Sequence, residues 1–192
     1  VHKYDKIFKE KMEAPIGYTF TDLETRFAKI RTSEENLTNL VADIMRIWYD
    51  TDVTLLNTGT VRSDCVFSKG VLKYGDISKM LPFVDYVMKV EITGELLYQA
   101  LENSVSRYPK YEGRFPAVSG MKFAFDPKKP PGQRVDKKSI IIENRGPIRM
   151  DEKYLLATKY YLTLGRDGYD SIAQSRILTE QIVADDITSM VR

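Results

Sequence analysis

The clearest periodic stretch runs from residue 33 to 49. Leu37, Leu40, Val41, Ile44, Met45 and Trp48 recur at the three- and four-residue spacing of one helix face. Ser33, with Glu34 and Glu35 behind it, is the expected N-cap, since acidic side chains favour the positive end of a helix dipole. Residues 1–13 are charged and weakly amphipathic and predict a helical leader. "GYTFTDLE" has strand character, and "DVTLLN" (52–57) predicts a short buried strand. Asp76 is placed to cap a short helix, "ISKML", which Pro82 stops. "YVMKVEIT" predicts a strand, and Gly94 opens a helix through "ELLYQALENSV". In "FPAVSGMKFAFDP", Met121, Phe123 and Phe125 alternate with other residues, the pattern of a strand with one buried face. "DPKKPPGQR" is a solvated turn, "SIIIE" and "YLLATKYYLTL" predict strands, and "GRDGYDS" predicts a tight loop. A last helix is expected near residues 177–190. Helices and strands interleave irregularly, and several strands look hairpin-paired. The expected class is α+β, a mixed sheet with packed helices, with a regular α/β fold as the alternative.

Composition narrows the chemistry. The chain has 192 residues, 29 of them basic and 27 acidic, for a formal net charge of +2. That balance gives no electrostatic reason to expect nucleic acid as partner. No apolar run approaches the ~18 residues of a membrane span. Cys65 is the single cysteine, so no internal disulfide forms, and the compartment stays open. The one histidine, His2, leaves no His-based metal cluster and no Ser-His-Asp or Cys-His nucleophile in this chain.

Four polar clusters fall at element ends: Arg31 before the long helix, Asn57 with Gly59 and Arg62 after a buried strand, Phe83 behind Pro82, and Asp167 after the pair Tyr160 and Tyr161. Singly, each has an ordinary reading: a surface arginine, a plain turn, a core phenylalanine, an aspartate bonding its own backbone. Jointly they suit a nucleotide. Guanidinium forks bind phosphate or ribose oxygens, a carboxylate accepts from ribose hydroxyls, and aromatic faces stack a base. The chain has no Gly-rich phosphate loop.

"RTSEENLTNLVAD", "LLNTGTVRSD", "YGDISKMLPF", "VEITGELLYQALENSV", "GRFPAVSGMKFAFDP" with "PGQRV", and "YLLATKYYLTLGRDGYD" stand here in one order. Together they resemble the C-terminal domain of the 5′-nucleotidase family, which includes UDP-sugar hydrolases and apyrases, over residues 14–172 or so. The resemblance implies a nucleoside held by Arg31, Asn57, Gly59 and Arg62, a base between Phe83 and Tyr161, and ribose hydroxyls on Asp167. Three positions depart from the usual pattern: Thr58 and Arg166 stand where Gly is common, and Tyr161 where Phe is.

The resemblance further implies that two divalent metal ions and the catalytic groups belong to a separate N-terminal metallophosphoesterase domain. The expected organisation is therefore residues 1–13 as the remnant of a linker helix and 14–192 as the substrate-binding domain. No catalytic residue and no metal ligand is expected here; the expected partners are a nucleotide or nucleoside and that N-terminal domain. Members of the family are commonly secreted, periplasmic or surface-anchored. Two functions fit: the substrate-specificity domain of a two-metal phosphohydrolase, or a non-catalytic nucleotide-binding module.

Overall fold

The computed structural model describes residues 2–179 and 184–191. Its centre is a mixed five-stranded sheet, in the order Arg176–Ile177, Val87–Thr93, Lys153–Lys159, Val53–Asn57, Pro116–Ser119. Only Lys153–Lys159 and Val53–Asn57 run parallel; the other pairings are antiparallel. The α+β expectation holds.

Side chains alternate across this sheet and feed two cores, because successive strand residues point to opposite faces. Leu55, Met88, Val90, Ile92 and Leu156 pack with Leu97 and Leu101 of the Gly94–Val105 helix. Leu56, Val87, Ala117 and Ala157 pack on the other face with Leu37, Val41 and Met45 of the Asn36–Tyr49 helix. Of the apolar stripe read from the sequence, Leu37, Val41 and Met45 are buried and Ile44 packs against them. Leu40 and Trp48 lie outside the core, exposed, and Trp48 Nε1 donates to Asp185 Oδ2 at 2.8 Å.

Several expected boundaries move. Ser33 does not cap the long helix. Its amide and hydroxyl are both taken by Lys29 O, ending the preceding turn Phe27–Ile30, so Glu35 becomes the cap residue of Asn36–Tyr49. The short helix runs Tyr74–Met80, with Asp76 in its first turn accepting from the Lys73 amide at 3.0 Å. The alternation from Phe115 to Phe125 is divided at Gly120, where φ is +70°; Pro116–Ser119 stays in the main sheet and Met121–Lys122 joins a small separate one. "SIIIE" keeps only Ile141–Ile142 as strand. "YLLATKYYLTL" leaves the sheet at Lys159, the last residue paired with Val87–Thr93, and Tyr160–Thr163 turns into helix. The last helix covers Ile187–Val191 only. Arg176–Ile177 extends the sheet instead, and residues 180–183 of that expectation lie outside the described ones. His2–Glu13 is a helix, as its pattern predicts.

The topology decides where a site can form. Asn57 and Lys159 end the two parallel strands, so both sit at one edge of the sheet. Val87 and Pro116 begin strands antiparallel to these, pairing with Lys159 and Asn57 respectively. Residues just before them, Phe83–Asp85 and Gly113, are delivered to the same edge. Open sheets commonly bind ligands beyond the carboxyl ends of their parallel strands.

Candidate functional site

A cavity of about 510 Å³ opens at that edge, lined by Arg31, Asn57, Gly59, Arg62, Phe83, Val84, Asp85, Gly113, Lys159, Tyr161 and Asp167. All seven residues singled out from the sequence face it together, although they come from four separate segments.

Asp167 is the organising group. It adopts a left-handed conformation (φ 54°, ψ 21°), which Asp tolerates better than most residues. Its carboxylate accepts from Asn57 Nδ2 at 2.8 Å and from the Tyr161 hydroxyl at 3.0 Å. One donor on each oxygen leaves each with a further lone pair for an incoming hydroxyl. Burial, then the hydrogen bond to Asp167, raises the Tyr161 pKa, so the phenol stays a donor. Behind the loop, Asn103 Nδ2 donates to the Asp167 carbonyl at 3.0 Å, and Arg114 holds Asn103 Oδ1 at 3.1 Å. Buried Tyr169 ties its hydroxyl to Arg114 O at 2.6 Å. None of these three braces was picked out from the sequence as a functional position.

Two arginines supply positive charge. Arg31 lies 3.8 Å over the Phe27 ring and donates to Tyr111 O at 2.9 Å, while its Nε is buried without a hydrogen-bond partner among the described residues. Burial, and after it the nearby charge of Arg62, lowers the Arg31 pKa. The Arg62 guanidinium stands 5.6 Å from the Phe83 ring centroid. Among the described residues neither arginine pairs with a carboxylate. Two guanidiniums kept close together without an ion-pair partner favour an anion in the space between them, although the carboxylates of Asp85 and Asp167 line the same cavity and Asp64 acts on Arg31.

The aromatic residues differ from core residues. Phe83 is 51% exposed and Tyr161 38%, both on the cavity, and they make no ring contact with each other.

Gly59 and Gly113 form the tightest contact of the wall. Gly59 N donates to Gly113 O at 2.8 Å, and a Cβ on Gly59 would stand 3.0 Å from Gly113 Cα. Gly113 was not singled out, although it opens the sequence block "GRFPAVSGMKFAFDP". Gly59→Ala should force the two segments apart by a few tenths of an ångström and cost about 1 kcal/mol, read as a lowered melting temperature. An unchanged melt would show that the wall yields freely. Thr58, by contrast, keeps a negative φ and a backbone bond to Phe115 O, so threonine in place of glycine adds no strain. Arg166 is exposed on the turn that carries Asp167.

The pattern that defines the 5′-nucleotidase, C-terminal domain matches residues 15–174. The chain belongs to that family. A trifunctional nucleotide phosphoesterase of Bacillus subtilis is 29% identical over 178 residues, 88% of this chain but 12% of its own length. The human 5′-nucleotidase is 28% identical over 173 residues, covering 82% of this chain and 30% of its own. Among solved structures, a 5′-nucleotidase precursor from Thermus thermophilus superposes with a TM-score of 0.87 at 27% identity, covering 99% of this chain and 38% of that one. This 5′-nucleotidase C-terminal domain therefore spans well under half the length of these proteins.

Within the domain's described residues, no group of three or more His, Cys, Asp or Glu converges to hold a metal ion, and no helix is long and apolar enough to cross a membrane. The metals implied by the resemblance thus have no fitting ligand set among the described residues.

Proposed function

We propose that this domain binds the nucleoside portion of a nucleotide and presents its phosphate to a metal-bearing phosphohydrolase domain of the same polypeptide. The observation that carries the reading is one cavity holding two arginines that form no ion pair with a described residue, a carboxylate with lone pairs to spare and two half-exposed rings. The base stacks between Phe83 and Tyr161. Ribose hydroxyls donate to Asp167, in the position that Asn57 and Tyr161 fix. Arg31, Arg62 and the Gly59 turn close the charged side. In this reading residues 1–13 are the end of a helical link to the partner domain, and two divalent ions held by that domain supply the hydrolytic chemistry. The relatives named as 5′-nucleotidases and nucleotide phosphoesterase support the assignment to nucleotide hydrolysis.

Adenosine and AMP should bind the chain weakly, with Kd in the high micromolar to millimolar range, about 4–6 kcal/mol, because the phosphate projects toward a domain that is not there. Titration by NMR or calorimetry checks this, and silence at several millimolar for every nucleoside tried overturns the reading. The same chain should release no phosphate from AMP above a blank, even with excess Mn²⁺ or Zn²⁺. Turnover that co-purifies with it would place catalytic groups in this domain after all.

A further inference from the structure

The cavity is also lined by a charge pair, Lys159 and Asp85, to which the nucleoside assignment gives no role. Lys159 Nζ sits 2.7 Å from Asp85 Oδ2 and donates to Thr60 Oγ1 at 2.9 Å. The two side chains are 5% and 18% exposed, against 51% for Phe83 and 38% for Tyr161. The pair therefore lies deeper than the rings. Lys159 Nζ is also 5.2 Å from the Tyr161 ring centroid, and Asp85 follows Phe83 by two residues. In the nucleoside reading, a base held by these rings comes within reach of the pair, which lines the same cavity.

The two partners offer different things to that base. Lys159 has three protons, and Asp85, Thr60 and the Tyr161 face already engage it, so it contributes charge rather than a free donor. Asp85 lines the cavity; its Oδ1 accepts no hydrogen bond from any described residue, and Oδ2 keeps a lone pair beyond Lys159. The pair is thus acceptor-rich next to a fixed positive charge.

We propose that Asp85, held in place by Lys159, is a base-specificity residue that selects guanine over adenine. This rests on the nucleoside reading of the cavity. Guanine carries two adjacent donors, N1–H and the N2 amino group, beside the O6 acceptor. The donors match the carboxylate, and O6 falls toward the lysine charge. Adenine presents one amino donor beside the N1 lone pair, which would face the carboxylate with nothing to give it a proton. A site that leaves a polar group unmatched on one base discriminates strongly against it.

The test is the ratio of guanosine to adenosine affinity, measured by NMR titration or calorimetry. The unaltered chain should bind guanosine about tenfold more tightly or better. In Asp85→Asn the side chain offers one donor and one acceptor, which fits the adenine edge, so the ratio should fall to about one or invert. Because that change leaves Lys159 buried without a counter-charge, the double variant Asp85→Asn with Lys159→Gln, which retains a neutral hydrogen bond, should show the same inversion. Equal affinities or an adenosine preference in the unaltered chain overturn the proposal, whether or not the variants fold. So does an unchanged ratio in folded variants. Binding of neither nucleoside at several millimolar overturns the nucleoside reading itself and takes this assignment with it.

Discussion

Phe83→Ala and Tyr161→Ala, combined in one chain, should abolish measurable nucleoside binding while the protein melts close to its parent. Both rings are half-exposed on the cavity wall, so neither contributes the burial that a core aromatic does. Stacking on a base is worth ~1–3 kcal/mol per ring, about 2–6 kcal/mol for the pair if the two contributions add. From a millimolar starting point, that loss carries binding out of range. Tyr161→Phe separates the ring from its hydroxyl: it keeps the stacking face and removes only the bond to Asp167, so it should lose far less. Tyr154, 1% exposed in the core, is the stability control, and Tyr154→Ala should cost roughly 3–5 kcal/mol. Phe123 sits on the strand face expected from the alternation, but it is only partly buried, so its truncation should fall between these extremes. If the cavity-ring variants unfold as readily as Tyr154→Ala, the rings are structural and the stacking slot is wrong.

Asp167→Gly should weaken nucleoside binding by about 10- to 100-fold at little cost in stability. Glycine accepts the left-handed conformation that Asp167 already holds, so the loop keeps its path. What disappears is the carboxylate, with its bonds to Asn57 and Tyr161 and its capacity to accept from ribose hydroxyls. Hydrogen bonds to a charged group are worth about 1.5–3 kcal/mol, which sets the expected range. A 2′,3′-dideoxynucleoside supplies the control. It should bind the parent poorly and lose little more on Asp167→Gly, because the hydroxyls that Asp167 receives are missing. Equal losses for both ligands would mean that Asp167 supports the cavity without touching ribose.

What can be read in a chain by itself is what neighbouring residues decide. The short apolar run "DVTLLN", the alternation of "YVMKVEIT" and the Leu37–Val41–Met45 stripe identify elements correctly: the first is a strand buried throughout, and the other two bury faces set by spacing of two and of three to four residues. The seven candidate positions were also legible, because turn-forming Asn57 and Gly59 and the Asp167 loop carry their chemistry in short, ordered blocks. Element ends were less legible where a distant partner sets them. Ser33 has the composition of an N-cap, yet Lys29 O claims it, and the strand ending at Lys159 stops because its antiparallel partner begins at Val87. The same limit hid the Lys159–Asp85 pair and the Gly59–Gly113 contact. A lone lysine closing the apolar run "YLLATK" signals only that some partner is needed. Which one it meets depends on the register between two strands, and that register also brings Asn57, Phe83, Asp85 and Gly113 to one edge. Sequence therefore determined the elements and the chemical kinds of group available. Tertiary structure alone decided which groups share a cavity, which rings stay open to it and which charges are paired, because those depend on contacts between residues far apart in the chain.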